Sequence, residues 1–229
     1  MTELFTPPDD AATPLTPEET RDLIPAHIAF RRELNQAEQE NITRAQAWAL
    51  NRRRDLLSEK FIKRLHRRML GDVWRWAGKF RTSQRNLGIP FYEIPVALRQ
   101  LLDDTKACIE HQTYPPDEIS VRFHHRLVQI HAFPNGNGRH ARLMADLLVM
   151  RLGGPRFSWG RESLRDPSTL RQRYIAALQD ADKHCARPRK GRIPTRQKVG
   201  CNRTNISGHT ARFSNEFGLN RPHNTRVGP

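Results

Sequence analysis

Apolar residues recur at helical spacing along most of the first 183 residues. Phe61, Leu65, Met69 and Leu70 fall on one face of a 3.6-residue turn. The next stretch, GDVWRWAGKFRT, carries Gly71, Gly78 and clustered aromatics, which predict the end of that helix and a compact connection. Val96, Leu98, Leu101, Leu102 and Ile109 predict another helix, stopped by TYPPDE, and Ile119, Phe123, Leu127 and Ile130 predict the one after it. Leu143, Leu147, Leu148 and Leu152 form the apolar face of a further helix ending at Gly153 and Gly154, and Leu170, Tyr174, Ala177 and Leu178 mark a last one. Ahead of these, Thr16 to Trp48 mixes strong helix formers with sparse apolar residues. Thr16 with Glu19 makes a capping box there, and two helices broken near Pro25 are expected. Phe80 to Tyr92, with β-branched and aromatic residues around Asn86, Leu87 and Gly88, suits a short hairpin better than a helix. The pattern predicts an all-α fold, a helical bundle with one small β-hairpin.

A chain of 229 residues can bury one good core and still leave extensions at either end. No stretch reaches the roughly 18 apolar residues of a membrane span, and the opening MTELFTPPDDAATPLTPEE lacks the apolar run of a signal peptide. Cys108, Cys185 and Cys201 are odd in number and widely spaced, which points to a reducing compartment. A cytoplasmic protein with no membrane partner is expected.

The net charge of +15 changes the picture only after it is located. Residues 184–229 carry ten Lys or Arg against the single acid Glu216, leaving +6 for the first 183 residues. That last stretch has no helical or alternating period and few large apolar residues, so a disordered basic tail is expected. Its abrupt change of composition suggests a shifted reading frame, which comparison of the coding frames beyond residue 183 would test.

The chemistry concentrates in HAFPNGNGRHAR, from His131 to Arg142, a loop that leads into a helix N-terminus. Gly136 and Gly138 let backbone approach a ligand, the helix presents unpaired N–H groups, and Arg139 and Arg142 can reach phosphate oxygens. Neither a Walker A loop nor a dinucleotide fingerprint is present. His131 stands where its imidazole could take a proton from an attacking hydroxyl. Asn135 offers an oxygen to Mg²⁺ bridging phosphates, and Asn137 can donate its amide to a phosphate oxygen. In-line transfer at phosphorus is the chemistry this set suggests.

The segment resembles the Fic family signature HxFx[D/E]GNGRxxR, matched at His131, Phe133, Gly136, Asn137, Gly138, Arg139 and Arg142. GDVWRWAGKFRT, ahead of the expected hairpin, is similar to the family's approach to its flap, which holds a target segment by strand pairing. Within the family the wording is most similar to the subgroup called mobile mystery protein B. The resemblance covers roughly residues 56 to 183, dividing the chain into an N-terminal helical extension (1–55), a catalytic domain (56–183) and the basic tail (184–229).

The resemblance implies a protein adenylyltransferase that moves AMP from ATP, with Mg²⁺, to a Ser, Thr or Tyr of an unidentified target protein. It makes His131 the base and Phe133 the anchor of the loop. Gly136, Asn137 and Gly138 become the anion hole, Arg139 and Arg142 the phosphate ligands, and Ile89, Phe91 and Tyr92 the target-binding flap. Tyr174 is assigned to the nucleotide's base pocket. Asn135 stands where the family has an acidic metal ligand, a neutral donor that should hold Mg²⁺ more weakly.

Many family members are restrained by a helix bearing [S/T]xxxE[G/N], whose Glu pairs with the motif's second arginine. Gln36 to Asn41 matches only at its end, which would set Glu40 on Arg142, with Glu38 the rival inhibitory residue. Two alternatives stand beside this reading. One is a Fic-fold protein using another nucleotide or a phosphate donor. The other is a catalytically degenerate binding module whose basic tail takes nucleic acid.

Overall fold

In the computed structural model, which describes residues 21–51, 54–85 and 87–159, the apolar periodicity resolves into helices. They are α1 (Arg31–Leu50), α2 (Glu59–Leu70), α3 (Ile94–Glu110), α4 (Pro116–Ile130) and α5 (Asn137–Arg151), with a short 3₁₀ turn, Phe91–Glu93, leading into α3. The chain divides into two units, Met1–Arg156 and Phe157–Pro229, and every element named here belongs to the first.

Local chemistry sets the ends of these helices. The Ser58 hydroxyl accepts the Phe61 N–H at the start of α2, where Glu59 suits the positive end of the helix dipole, while Arg67 and Arg68 suit the other end. Proline stands in the first turn of both α3 and α4, where its missing N–H costs nothing. The Glu33 carboxylate reaches back to the N–H groups of Ala29 and Phe30 and fixes the entry to α1.

The core forms where α1 packs on α2, α3 on α4 and α4 on α5. Phe61, Ile62, Leu65, Met69 and Leu70 of α2 are buried against Leu98 and Leu102 of α3, Phe123 and Leu127 of α4, and Met144 and Leu148 of α5 in one apolar cluster. Each such side chain contributes roughly 1.5–3 kcal/mol by leaving water. No described helix is long and apolar enough to cross a membrane.

The break expected near Pro25 is present, but the residues before it make a contact that the apolar pattern does not announce. Asp22 to Ile24 run antiparallel beside Val73 to Arg75, bonded through Ile24 N–H to Val73 O at 2.8 Å and Arg75 N–H to Asp22 O at 3.0 Å. The hairpin expected within Phe80–Tyr92 turns on Asn86, which lies outside the described residues. Its described neighbours run as bends and irregular backbone, with no strand pairing among them. The Thr16–Glu19 capping box, the helix around Leu170 to Leu178 and the basic tail also lie outside the described residues.

Candidate functional site

The loop from α4 to α5 is shaped by three residues in unusual roles. His131 ends α4 in the left-handed region, at φ 52° and ψ 56°, a conformation that costs a non-glycine residue on the order of 1 kcal/mol or more. Its carbonyl accepts the Arg81 Nε–H at 2.7 Å, and the next carbonyl, of Ala132, accepts the Arg81 backbone N–H at 3.0 Å. Gly136, the N-cap of α5, has φ 77°, and a Cβ there would lie 2.6 Å from Leu70 Cδ1. Glycine is therefore required twice, by backbone and by space.

Asn137 closes the loop on itself. Its Oδ1 accepts the Phe133 N–H at 2.9 Å while its Nδ2 donates to the Phe133 carbonyl at 2.8 Å. The carboxamide thus staples backbone, which leaves the main-chain N–H of Asn137 as its outward-facing donor. Phe133 is buried and lies flat on His66, ring centroids 3.7 Å apart, with His140 edge-on to it. His66 Nδ1 accepts the Gly78 N–H at 3.0 Å, so the ring proton is on Nε2, which donates to the Asn135 carbonyl at 3.0 Å. Burial pushes the His66 pKa down to about 4, which keeps this ring neutral.

At the start of α5 the backbone N–H groups of Asn137, Gly138 and Arg139 have no acceptor within the helix, and the N-cap glycine supplies no side-chain cap. Such an end, with the helix dipole behind it, can accept an anion. His131 is half-buried at the other side of the loop. Its pKa is lowered by burial first and by the Arg81 cation second, which favours the neutral imidazole that a base needs.

Arg139 is already engaged. Its Nη1 donates to Glu38 Oε2 at 2.5 Å, and the other carboxylate oxygen of Glu38 accepts the Trp74 indole N–H at 2.6 Å. Of the two acids weighed from the sequence, Glu38 is the one that reaches the motif, and it meets the first arginine. Glu40 is exposed on α1, and its carboxylate accepts from Gln36 Nε2 at 3.2 Å. Arg142, one turn further along α5, lies near buried His124. That imidazole is held well below its ordinary pKa by burial first and the Arg142 charge second.

Asn135 is exposed, and its Oδ1 accepts the Gly136 N–H at 2.6 Å. No group of three or more His, Cys, Asp or Glu side chains that could hold a metal occurs among the described residues. A resident Mg²⁺ does not fit this donor set. An ion carried in and held mainly by a triphosphate does, with Asn135 as one neutral oxygen.

Ile89 is partly buried and its carbonyl accepts from Arg81 Nη2, whereas Phe91 and Tyr92 are exposed with their rings edge to face at 5.6 Å. Tyr174 lies outside the described residues. Sequence reasoning missed Arg81, His66 and Trp74. Of these, only Trp74 stood out by its aromatic cluster, because a buried polar role for an arginine or histidine leaves no periodic trace.

Comparison with known proteins bears on this geometry. Residues 56–149 match the Fic/DOC family. Protein adenylyltransferase fic-1 of Caenorhabditis elegans is 32% identical over 143 residues, 61% of this chain and 27% of that protein. A solved variant of C. elegans Fic-1 superposes with a TM-score of 0.54 at 27% identity, covering 72% of this chain and 48% of that chain. The N-terminal Fic domain of a cell filamentation protein from Bartonella quintana, solved with bound ADP, superposes with a TM-score of 0.54 at 17% identity, covering 70% and 82%. The chain spans about a quarter of the length of the curated relatives it matches.

Proposed function

We propose that this chain, whose residues 56–149 are a Fic/DOC family domain, transfers AMP from ATP to a Ser, Thr or Tyr hydroxyl of another protein. The observation that carries the proposal is the pairing of an open helix N-terminus at Asn137 to Arg139 with a half-buried histidine across the same loop. The names of the protein adenylyltransferase relatives and the ADP bound by the Bartonella domain support the same reading.

His131 takes the proton of the target hydroxyl as its oxygen attacks the α-phosphorus. The new P–O bond forms on one side while the bond to the bridging oxygen breaks on the other, and pyrophosphate leaves. The N–H groups of the α5 terminus and the arginines stabilise the phosphate charge that the transition state spreads over its oxygens. Asn135 would offer a neutral oxygen to a Mg²⁺ carried by ATP, which would offset phosphate charge. Glu38, by holding Arg139, restrains the enzyme until that pair opens.

The test is incorporation of label from α-labelled ATP and Mg²⁺ into protein, in a lysate and on the chain itself. Label that rises in Glu38→Gly and disappears in His131→Ala is the expected result. Its absence from every variant, with Mn²⁺ also tried, would point to another donor nucleotide or phosphate donor. A second reading follows from Asn135, whose neutral side chain already bonds to Gly136 N–H. In it the fold is retained as a binding module, and the basic tail takes nucleic acid with a steep salt dependence.

A further inference from the structure

Arg81 is a buried cation with 3% of its surface exposed, and among the described residues its recorded partners are all backbone carbonyls. Its Nε donates to His131 O at 2.7 Å, Nη1 to Ser83 O at 3.1 Å, and Nη2 to Ile89 O. Its own backbone N–H donates to Ala132 O at 3.0 Å. A guanidinium taken out of water without a carboxylate is costly unless its donors find acceptors, and here one planar fork joins two nearby carbonyls, of Ser83 and Ile89, to that of His131, 50 residues away.

A second contact joins the same two segments without using the guanidinium. Gly88, at φ 95°, lies so close to the motif that a Cβ on it would be 2.5 Å from His131 Cβ and 3.1 Å from Ile130 O. Gly88 therefore rests directly on the histidine, and Arg81 holds the carbonyls of Ser83 and Ile89 on either side of it.

We propose that Arg81 is a positioning residue that holds Ser83, Gly88 and Ile89 in fixed register with His131, so that a target hydroxyl lying beside Gly88 and Ile89 is delivered to the imidazole. This rests on the reading of His131 as the base. A bound target then needs no separate alignment with the base, because the two are parts of one hydrogen-bonded unit. Lysine cannot replace the arginine, since a single ammonium lacks the planar fork that reaches three carbonyls at once.

The experiment uses the full chain as wild type, Arg81→Lys, Arg81→Gln and Gly88→Ala, with two readouts. In the first, backbone amide spectra and hydrogen exchange of Arg81→Lys are compared with wild type. The signals of Ser83 to Ile89 and of His131 and Ala132 are expected to move together and exchange faster, while those of α2 and α3 stay. Movement confined to one of the two segments overturns the proposal. In the second, transfer of labelled AMP at saturating ATP is expected to fall about 100-fold in Arg81→Lys and Gly88→Ala, the scale of a roughly 1 Å misplacement. The ATP concentration for half-maximal rate should stay within about twofold. A rise in that concentration at unchanged maximal rate also overturns it. Should Arg81→Gln fail to fold, Arg81→Lys and Gly88→Ala carry both readouts. If the wild type transfers no AMP, the transferase reading fails, and the amide spectra still decide whether Arg81 couples the two segments.

Discussion

Glu38 Oε2 lies 2.5 Å from Arg139 Nη1 although 101 residues separate them in the chain, and Trp74 holds the other oxygen of the same carboxylate at 2.6 Å. The carboxylate is buried and so satisfied by two directed donors, one of them charged. A triphosphate that needs Arg139 must compete with this arrangement.

Glu38→Gly should therefore raise the initial rate of AMP transfer by about tenfold or more, equivalent to releasing ~1.4 kcal/mol from the barrier. Glu40→Gly should leave the rate unchanged, because among the described residues that carboxylate bonds to Gln36 on the exposed face of α1 and not to the motif. Trp74→Phe, which keeps the ring and removes the indole N–H, should fall between them. Parallel rate measurements on the three variants check the order, and equal activation by Glu40→Gly would sink the assignment.

The choice between these two acids shows what was legible and what was not. The partial match to an inhibitory motif favoured Glu40, because a pattern of fixed letters ignores which way a helix faces. The face itself could be read: Leu34, Glu38, Asn41, Ala45 and Ala49 follow helical spacing and are all buried. Helices α2 to α5 were legible for the same reason, since Leu65, Leu98, Leu127 and Leu147 recur with their neighbours at the period that burial demands. Arg81 was not, because its partners are main-chain carbonyls up to 50 residues away and backbone carries no sequence signal. Asn137 was legible as a motif residue, but its bonding to Phe133 rather than outward could only come from the loop's geometry.

Gly136→Ala should lose both stability and nucleotide affinity. The substitution places a Cβ 2.6 Å from Leu70 Cδ1 at a φ of 77°, so the loop or α2 must shift. A destabilisation on the order of 1–3 kcal/mol is expected from backbone strain and overpacking. Urea unfolding measures the first effect, and titration with a fluorescent ATP analogue measures the second.

Acid should weaken the fold before it protonates the carboxylates. The His66 pKa is about 4 in the folded chain against an ordinary 6.5, and His124 and His140 are held well below their ordinary value by burial. In the window between those values the unfolded chain binds more protons than the folded one, so stability is present in full above 6.5 and is lost as pH falls toward 4. His66 alone corresponds to about 3 kcal/mol across that window. The urea midpoint should drop steadily from pH 7 to pH 5, and a flat profile would refute the assignment of neutral, buried imidazoles.

As the proposed base, His131 should answer to pH through rate as well as through stability. Burial and the nearby Arg81 cation both disfavour its protonated form, so the acid limb of the transfer rate should have its midpoint below 6.5. Replacing Arg81 by Gln should move that midpoint upward. A pH profile of initial rates at saturating ATP on both proteins checks the direction of each.

Asn135 offers the most direct check on the proposed use of Mg²⁺. The side chain is exposed and its Oδ1 accepts the Gly136 N–H at 2.6 Å, a bond that an aspartate oxygen can make equally well. Asn135→Asp should therefore leave the loop and the melting temperature unchanged while adding a charged oxygen beside the N-terminal end of α5. Hard cations prefer that donor to a neutral amide oxygen. The Mg²⁺ concentration giving half-maximal transfer should fall by about tenfold, roughly 1.4 kcal/mol of binding, and the rate at limiting Mg²⁺ should rise accordingly. An unchanged Mg²⁺ dependence would mean that the ion is held by ATP alone and that position 135 serves only to bond the Gly136 N–H.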